Sequence, residues 1–289
     1  MSAILSSAYR EACLWQEQVD RPVRAVGEPP DRADVLVVGA GYCGLGAATA
    51  AASAGAGVVV LDKEPLGWGA SSRNGGMVIP ELKAGPEKLA KKHGELAHRL
   101  YDEVYEAFDH TERLVAHMDC DYRRSGQLYL AHTPHHTPHL RRLTDELQRA
   151  GEPVEFLDRQ RIEQRTGSTA FDSGVFFEKV GGLHPAKFHA GMTARAEDAG
   201  ARINDRTAAT SIRRDAAGFV VETTRGSIRA GQVIVATNAY ADGVVPELTK
   251  RVLPINSYII ATRPLERQVQ ELIGPQMMVD TKNLLFYWR

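Results

Sequence analysis

The sequence predicts an α/β protein in two discontinuous domains: a helix-covered, largely parallel sheet, and a second α+β domain of antiparallel sheet plus helices. Three observations predict it. Two apolar runs, 35–38 and 58–61, flank a helix-like stretch of small residues. Residues 86–118 carry apolar side chains at helical spacing. Beyond residue 200, short β-favouring runs alternate with turns.

The first observation also carries chemistry. The run 35–38 ends at Gly39-Ala40-Gly41-Tyr42-Cys43-Gly44, a G-x-G-x-x-G, and 45–54 reads as a helix packed closely on a sheet. The second run ends at Asp62, 23 positions after Gly39, near the spacing at which such units carry their acid. Gly39 permits the tight turn, Gly41 a close approach of backbone to a pyrophosphate, and Gly44 close helix–strand packing. The helix N-terminus offers amides and a positive dipole end to phosphates. Asp62 suits a ribose hydroxyl without a 2′-phosphate. Strand, glycines, helix, strand and acid in order make a Rossmann-like dinucleotide unit rather than a mere tight turn.

The residues after the acid bear on which dinucleotide. A nicotinamide enzyme would run into another helix here. This chain enters Gly67-Trp68-Gly69-Ala70-Ser71-Ser72-Arg73-Asn74-Gly75-Gly76, too glycine-rich for a helix interior and suited to lie along an extended ligand. The stretch resembles the FAD-dependent amine and amino-acid oxidases of the D-amino-acid-oxidase class, most of all the γ-glutamylputrescine oxidoreductase branch. The resemblance implies that it runs beside the flavin half of FAD, with Ala70, Ser71, Ser72, Asn74, Gly75, Gly76 and Met77 as neighbours. The nucleotide unit adds Gly39, Gly41, Tyr42, Cys43, Gly44, Asp62 and Lys63 to the expected FAD set. Relatives place a valine against adenine through its backbone where this chain has Ala209. The resemblance also brings the backbone at Ala236 and Thr237, at the end of the apolar run 233–236, close to the FAD.

Composition limits the alternatives. With 289 residues, 43% hydrophobic and 25% charged, and a formal net charge of −1, this is the composition of an ordinary globular protein. Near-neutrality gives no reason to expect nucleic acid or anionic membrane as a partner. No apolar stretch approaches the roughly 18 residues of a span, and the N-terminus lacks a signal-peptide pattern, so the cytoplasm is the expected compartment. Cys13, Cys43 and Cys120 are odd in number and unpaired in spacing, against a disulfide framework or zinc site.

Along the rest of the chain, residues 8–18 suggest a short helix whose Tyr9 and Trp15 pack an N-terminal arm onto the body. Residues 86–118 suggest two helices broken at Gly94, and 125–131 a turn into a strand. In the segment 132–139, His132, His135, His136 and His139 tempt a metal reading. Its two prolines argue that the imidazoles share no helix face, and no acidic or cysteine ligand lies among them, so an exposed loop leading into a helix over 140–150 is expected and no metal. A strand is expected at 175–177 and a turn at 180–184. A helix should then run from Pro185 to about Ala199. Short antiparallel strands are expected over 201–212, 218–223 and 226–228, a buried strand ending in small residues over 233–240, and further strands over 252–262 and 284–289.

The resemblance covers nearly all of 31–289. It implies an FAD domain of about 1–80 and 183–243 and a substrate domain of about 81–182 and 244–289. It also implies a chain longer than this one, with the present C-terminus falling inside the substrate domain. The flavin should be bound non-covalently, because the family's tethering cysteine would fall past Arg289. The implied reaction is oxidation of a C–N bond in a small-molecule amine or amino acid, a γ-glutamylputrescine-like compound leading, with oxygen or another electron acceptor as partner. No catalytic residue is assigned. Substrate-side candidates are His184, beside the turn that returns to the FAD domain, and Tyr258, Tyr287 and Arg289, on strands expected over the flavin. Alternation along a strand puts Tyr287 and Arg289 on one face, and Arg289 suits a carboxylate. A catalytically silent FAD-binding fragment and a nicotinamide-dependent dehydrogenase are the competing readings.

Overall fold

The computed structural model describes residues 9–21, 24–25, 27–82, 85–241, 243–282 and 286–289. The chain begins with α1 (Leu14–Glu17), β1 (Arg32–Val38), α2 (Tyr42–Ser53), β2 (Val58–Leu61) and β3 (Met77–Val78). The middle holds α3 (Pro86–His93), α4 (Leu96–Val115), β4 (Gln127–Leu130), α5 (Thr137–Arg149), β5 (Val154–Asp158), α6 (Arg159–Thr166), β6 (Ser173–Phe177) and β7 (Gly181–Gly182). Next come α7 (Pro185–Asp198), β8 (Arg202–Asn204), β9 (Ala209–Asp215), β10 (Gly218–Thr223) and β11 (Gly226–Val235). The last elements are α8 (Pro246–Thr249), α9 (Arg267–Ile273), β12 (Met277–Asp280) and β13 (Tyr287–Trp288).

These elements form two units. The first comprises Met1–Asn74 and Pro185–Ile260, the second Gly75–His184 and Ala261–Arg289. The chain therefore crosses between units after residues 74, 184 and 260, against the 80, 182 and 243 expected.

The first unit is a six-stranded sheet in the order β8-β2-β1-β11-β10-β9. Its left half is parallel: β1 lies between β2 and β11, and β8 adds to β2. Strands β9, β10 and β11 form an antiparallel meander. Two expectations change here. Residues 202–204 form a parallel edge strand rather than part of the antiparallel set, because α7 is the crossover of a second βαβ unit and returns the chain beside β2. Residues 226–228 and 233–235 belong to one strand, β11, which pairs β10 through its first half and β1 through its second, and the strand expected to reach 240 ends at Val235. Its end is half-buried rather than buried, since α2 packs mainly over β1 and β2.

The core of this unit follows from the sequence pattern. Val35–Val38 and Val58–Leu61 are buried throughout, and Leu36, Val59, Leu61, Val221 and Ile228 pack together. The helix α2 can lie this close because it is made of small residues. A Cβ at Gly44 would sit 1.9 Å from the Gly39 carbonyl oxygen. Gly39 itself has φ +106, and a Cβ there would come within 2.6 Å of the Ala236 carbonyl oxygen.

The second unit carries a five-stranded sheet ordered β13-β12-β4-β6-β5 and the two-stranded ribbon β3-β7. The larger sheet is mixed rather than antiparallel throughout, because β12 joins β4 in parallel. Leu128, Leu130, Leu157, Ile162 and Met278 form its core. Gly94, at φ +57, separates α3 from α4. The strand β5 and helix α6, capped by the Asp158 carboxylate on the Arg161 amide, were not read from the sequence.

Three local expectations fail. Helix is confined to Leu14–Glu17 within the arm, and Tyr9 is exposed rather than packed (residue 8 lies outside the described residues). The histidine segment is helical from Pro134 onward, a 3-10 turn running into α5. Prolines 134 and 138 occupy first-turn positions, where a missing amide costs nothing. Residues 252–262 form no strand. Strand propensity needs a neighbour to take its hydrogen bonds, and no described segment pairs there. Of the run 284–289, residues 284 and 285 lie outside the described residues, and β13 spans Tyr287–Trp288.

Replacing Gly44 by alanine forces α2 off β1. The Gly44→Ala variant is expected to lose about 3 kcal/mol of stability in denaturant unfolding; an unchanged midpoint would show that the helix moves aside freely.

Candidate dinucleotide site

The C-terminal ends of the parallel strands in the first unit open onto a cavity of about 380 Å3. Ligands bind at this end of such sheets, where loops diverge. Its floor is the glycine turn, with Gly39, Ala40 and Gly41 in the wall. Asp62, Lys63, Ala70, Ser71, Ala209, Ala236 and Thr237 line it as well, so these expected residues come together.

The turn is held from several sides. The Ala40 amide donates to Asp62 Oδ2 at 2.9 Å, and the Glu64 amide to Asp62 Oδ1 at 3.0 Å. Each carboxylate oxygen keeps a second lone pair for a ligand hydroxyl. Burial pushes the Asp62 carboxyl above its ordinary range, against the pull of these two amides. The Tyr42 amide, at the start of α2, donates to Ser71 Oγ at 3.1 Å. That bond ties the glycine turn to the 67–76 loop.

Other expected residues support the turn from outside the cavity. The Tyr42 ring meets Phe188 edge-on at 5.0 Å between centroids, and its hydroxyl donates to the Pro185 carbonyl at 3.2 Å. Gly44 is buried against Gly39, and the Cys43 side chain is exposed. Ser72 is fully buried and accepts from Arg21 at 3.1 Å. The Asn74 side chain donates to the Ala70 and Ser71 carbonyls at 3.2 Å each, closing the loop on itself.

The second unit holds the remaining candidates except Tyr258. Leu183 donates to the Gly76 carbonyl at 2.8 Å, and Met77 pairs with Gly182. Tyr287 packs its ring against Gly75, where a Cβ would meet it at 2.9 Å. Arg289 donates to the Leu183 carbonyl at 2.9 Å. Both therefore lie on the side of the β3–β7 ribbon, while Trp288 stacks on Phe171 at 5.8 Å. His184 is buried next to this ribbon, its amide on the Cys120 carbonyl at 2.8 Å. Tyr258 joins none of them. It is 86% exposed and belongs to the first unit.

Several cavity residues escaped the sequence. Trp68 and Tyr240 meet edge-on at 5.7 Å, with Lys63 Nζ 5.8 Å from the Tyr240 ring and Arg73 4.8 Å from the Trp68 ring. The 67–76 loop is tied to the N-terminal arm by Trp15 Nε1 on the Asn74 carbonyl at 3.0 Å and by Arg21 on the Leu66 carbonyl. His189, on α7, is 2% exposed and bonds through Nε2 to the Ala40 carbonyl at 2.7 Å. Its contact partner lies 149 residues earlier, and no local pattern signals that. Phe188-His189 reads only as one more turn of an amphipathic helix.

Burial drives the His189 imidazole down to about 4 from an ordinary 6.5; the Ala40 hydrogen bond opposes this and the nearby Arg21 charge adds to it. The unfolded chain therefore takes up this proton first. The stability contributed is full above pH 6.5 and is lost as pH falls towards 4, amounting to about 3 kcal/mol. Between those pH values, His189→Gln should lose less stability than the wild-type chain in matched denaturant titrations. Parallel curves would rule His189 out as the source.

The chain is 33% identical over 263 residues to the γ-glutamylputrescine oxidoreductase of Escherichia coli K12, covering 89% of this chain and 61% of that protein. It is 31% identical over 271 residues to the probable oxidoreductase OrdL of Haemophilus influenzae, covering 90% and 62%. It thus spans less than two thirds of the length of these relatives. The crystal structure of glycine oxidase from Geobacillus kaustophilus superposes with a TM-score of 0.64 at 24% identity, over 76% of this chain and 59% of that one, and shows the fold. The family model for FAD dependent oxidoreductases, DAO, matches residues 34–289, and the chain belongs to that family.

Proposed function

We propose that this chain holds FAD in the cavity of its first unit, for the oxidation of a C–N bond in an amine or amino acid. The observation that carries the reading is the glycine turn. It is fixed by Asp62, Ser71 and His189, yet the Gly41 amide has no acceptor among the described residues. Two further features fit a dinucleotide. The amides of Cys43 and Gly44, in the first turn of α2, have no intrahelical acceptor, and Thr237 Oγ1, in the cavity wall, is buried without a partner among the described residues. When bound, FAD supplies a two-electron acceptor for the hydride on the carbon that carries the amine.

The residues of the chain then have defined tasks. Gly41 and the α2 terminus receive the pyrophosphate, and Asp62 offers its free lone pairs to ribose hydroxyls. The loop from Ala70 to Met77 runs beside the flavin half. Tyr287, Arg289 and His184 are the substrate-side groups, and the planar guanidinium of Arg289 suits a carboxylate. The substrate amine must be neutral for its lone pair to assist as hydride leaves. Water afterwards cleaves the imine product to an aldehyde or oxo acid, releasing ammonia from a primary amine or an amine from a secondary one. A γ-glutamylated diamine is the leading substrate, supported by the 33% identity to the γ-glutamylputrescine oxidoreductase. Oxygen or another carrier takes the electrons onward.

The purified 289-residue chain should show two visible flavin bands, and these should bleach anaerobically on addition of γ-glutamylputrescine. Bleaching by small amino acids instead would overturn the substrate while keeping the reaction class. Bands that no amine bleaches would identify an FAD holder without turnover. In a chain that does turn over, Arg289→Ala should raise KM for carboxylate-bearing substrates about ten-fold or more and spare kcat. An unchanged KM would remove Arg289 from the substrate side.

A further inference from the structure

The amides of residues 39–42 are committed, but for one. The Gly39 amide donates to the Leu61 carbonyl at 2.7 Å, the Ala40 amide to Asp62 and the Tyr42 amide to Ser71. The Ala40 carbonyl accepts from His189. A carbonyl oxygen cannot donate, so His189 Nε2 carries the proton. Of the amides of residues 39–42, that of Gly41 is the one left uncommitted among the described residues, and Gly41 lines the cavity.

The peptide joining Ala40 to Gly41 is planar and trans, so its C=O and N–H point in opposite directions. Whatever holds the carbonyl aims the amide. Without a holder this peptide turns over at little cost, because glycine at 41 accepts either sign of φ. A buried imidazole is well suited to hold it. The ring is rigid, wedged near Tyr42 at 6.4 Å between centroids, and fixed on a helix rather than a loop.

We propose that His189 is a positioning residue for the anionic centre of the cofactor: by gripping the Ala40 carbonyl it keeps the Gly41 N–H aimed at the pyrophosphate. The proposal rests on the reading of this cavity as the FAD site. The sequence fingerprint assigns that task to glycines and a helix end alone. Here a side chain from the second βαβ unit completes it.

The test compares FAD, ADP and adenosine binding to the full chain by calorimetry, for the wild type, His189→Phe and His189→Gln. Phenylalanine fills the site without a donor, whereas glutamine restores an N–H. Losing one hydrogen bond to a charged group should weaken FAD and ADP about ten-fold in His189→Phe, with adenosine nearly unchanged. His189→Gln should recover most of the loss. ADP and adenosine weakening together, or ADP not weakening at all, would overturn the positioning role. If His189→Phe does not fold, NMR of the wild-type chain decides: the Gly41 amide proton should move with ADP and stay put with adenosine, and an unmoved signal in ADP would overturn the proposal. A wild-type chain that binds neither FAD nor ADP would instead defeat the cofactor reading itself.

Discussion

The approach of α2 to the end of β1, with Gly44 seated on the Gly39 carbonyl, is the contact on which the site depends. It is possible only because neither position carries a Cβ that would intrude. From it come the direction of the helix, the position of its first amides, and the shape of the turn between. The flanking strands are buried on both faces, so they cannot shift to relieve a misplaced turn. A dinucleotide site built this way is rigid before any ligand arrives, and that lowers the entropic cost of binding.

Electrostatics completes what packing begins. Asp62 and His189 approach the same residue, Ala40, one accepting from its amide and the other donating to its carbonyl. Burial shifts both towards their neutral forms, upward for the acid and downward for the base. The wall proposed to receive an anionic cofactor thus relies on oriented dipoles more than on formal charge. Preorganised dipoles of this kind need no rearrangement when charge arrives. Lys63 and Arg73 contribute positive charge at the Trp68–Tyr240 pair rather than at the turn itself.

The second unit shows how a terminal segment gains meaning from its pairing. Trp288 stacks on Phe171 beside the sheet core, while its neighbours Tyr287 and Arg289 reach the β3–β7 ribbon. Strand alternation sets that division. Glycines carry the chain into β3 at 75–76 and make up β7 at 181–182, so the Tyr287 ring can lie on the backbone at Gly75 and the Arg289 guanidinium on that at Gly182. The segment 252–262 carries comparable strand propensity without a partner in the described residues, and it stays irregular and exposed.

The nucleotide unit was legible in the sequence alone, from the apolar run of β1 through the glycines to Asp62. Those features are local: a period, a turn and a helix end within one βαβ segment. The break at Gly94 and the helix that begins at Pro185 were legible too, because both depend on backbone preferences of single residues. Strand pairing, by contrast, was settled by the tertiary fold. It turned residues 202–204 into a parallel edge, fused two apolar runs into β11, placed β12 in parallel beside β4, and left 252–262 unpaired. Hydrogen-bonding partners distant in the chain settle such choices, and propensity does not encode them. The same holds at the site. Gly39, Gly41 and Asp62 announce themselves by spacing, whereas His189, Trp68 and Tyr240 reach the cavity only because separate segments fold onto one sheet end. A motif records contacts within a short stretch of chain; a contact across 149 residues exists only once the chain is folded.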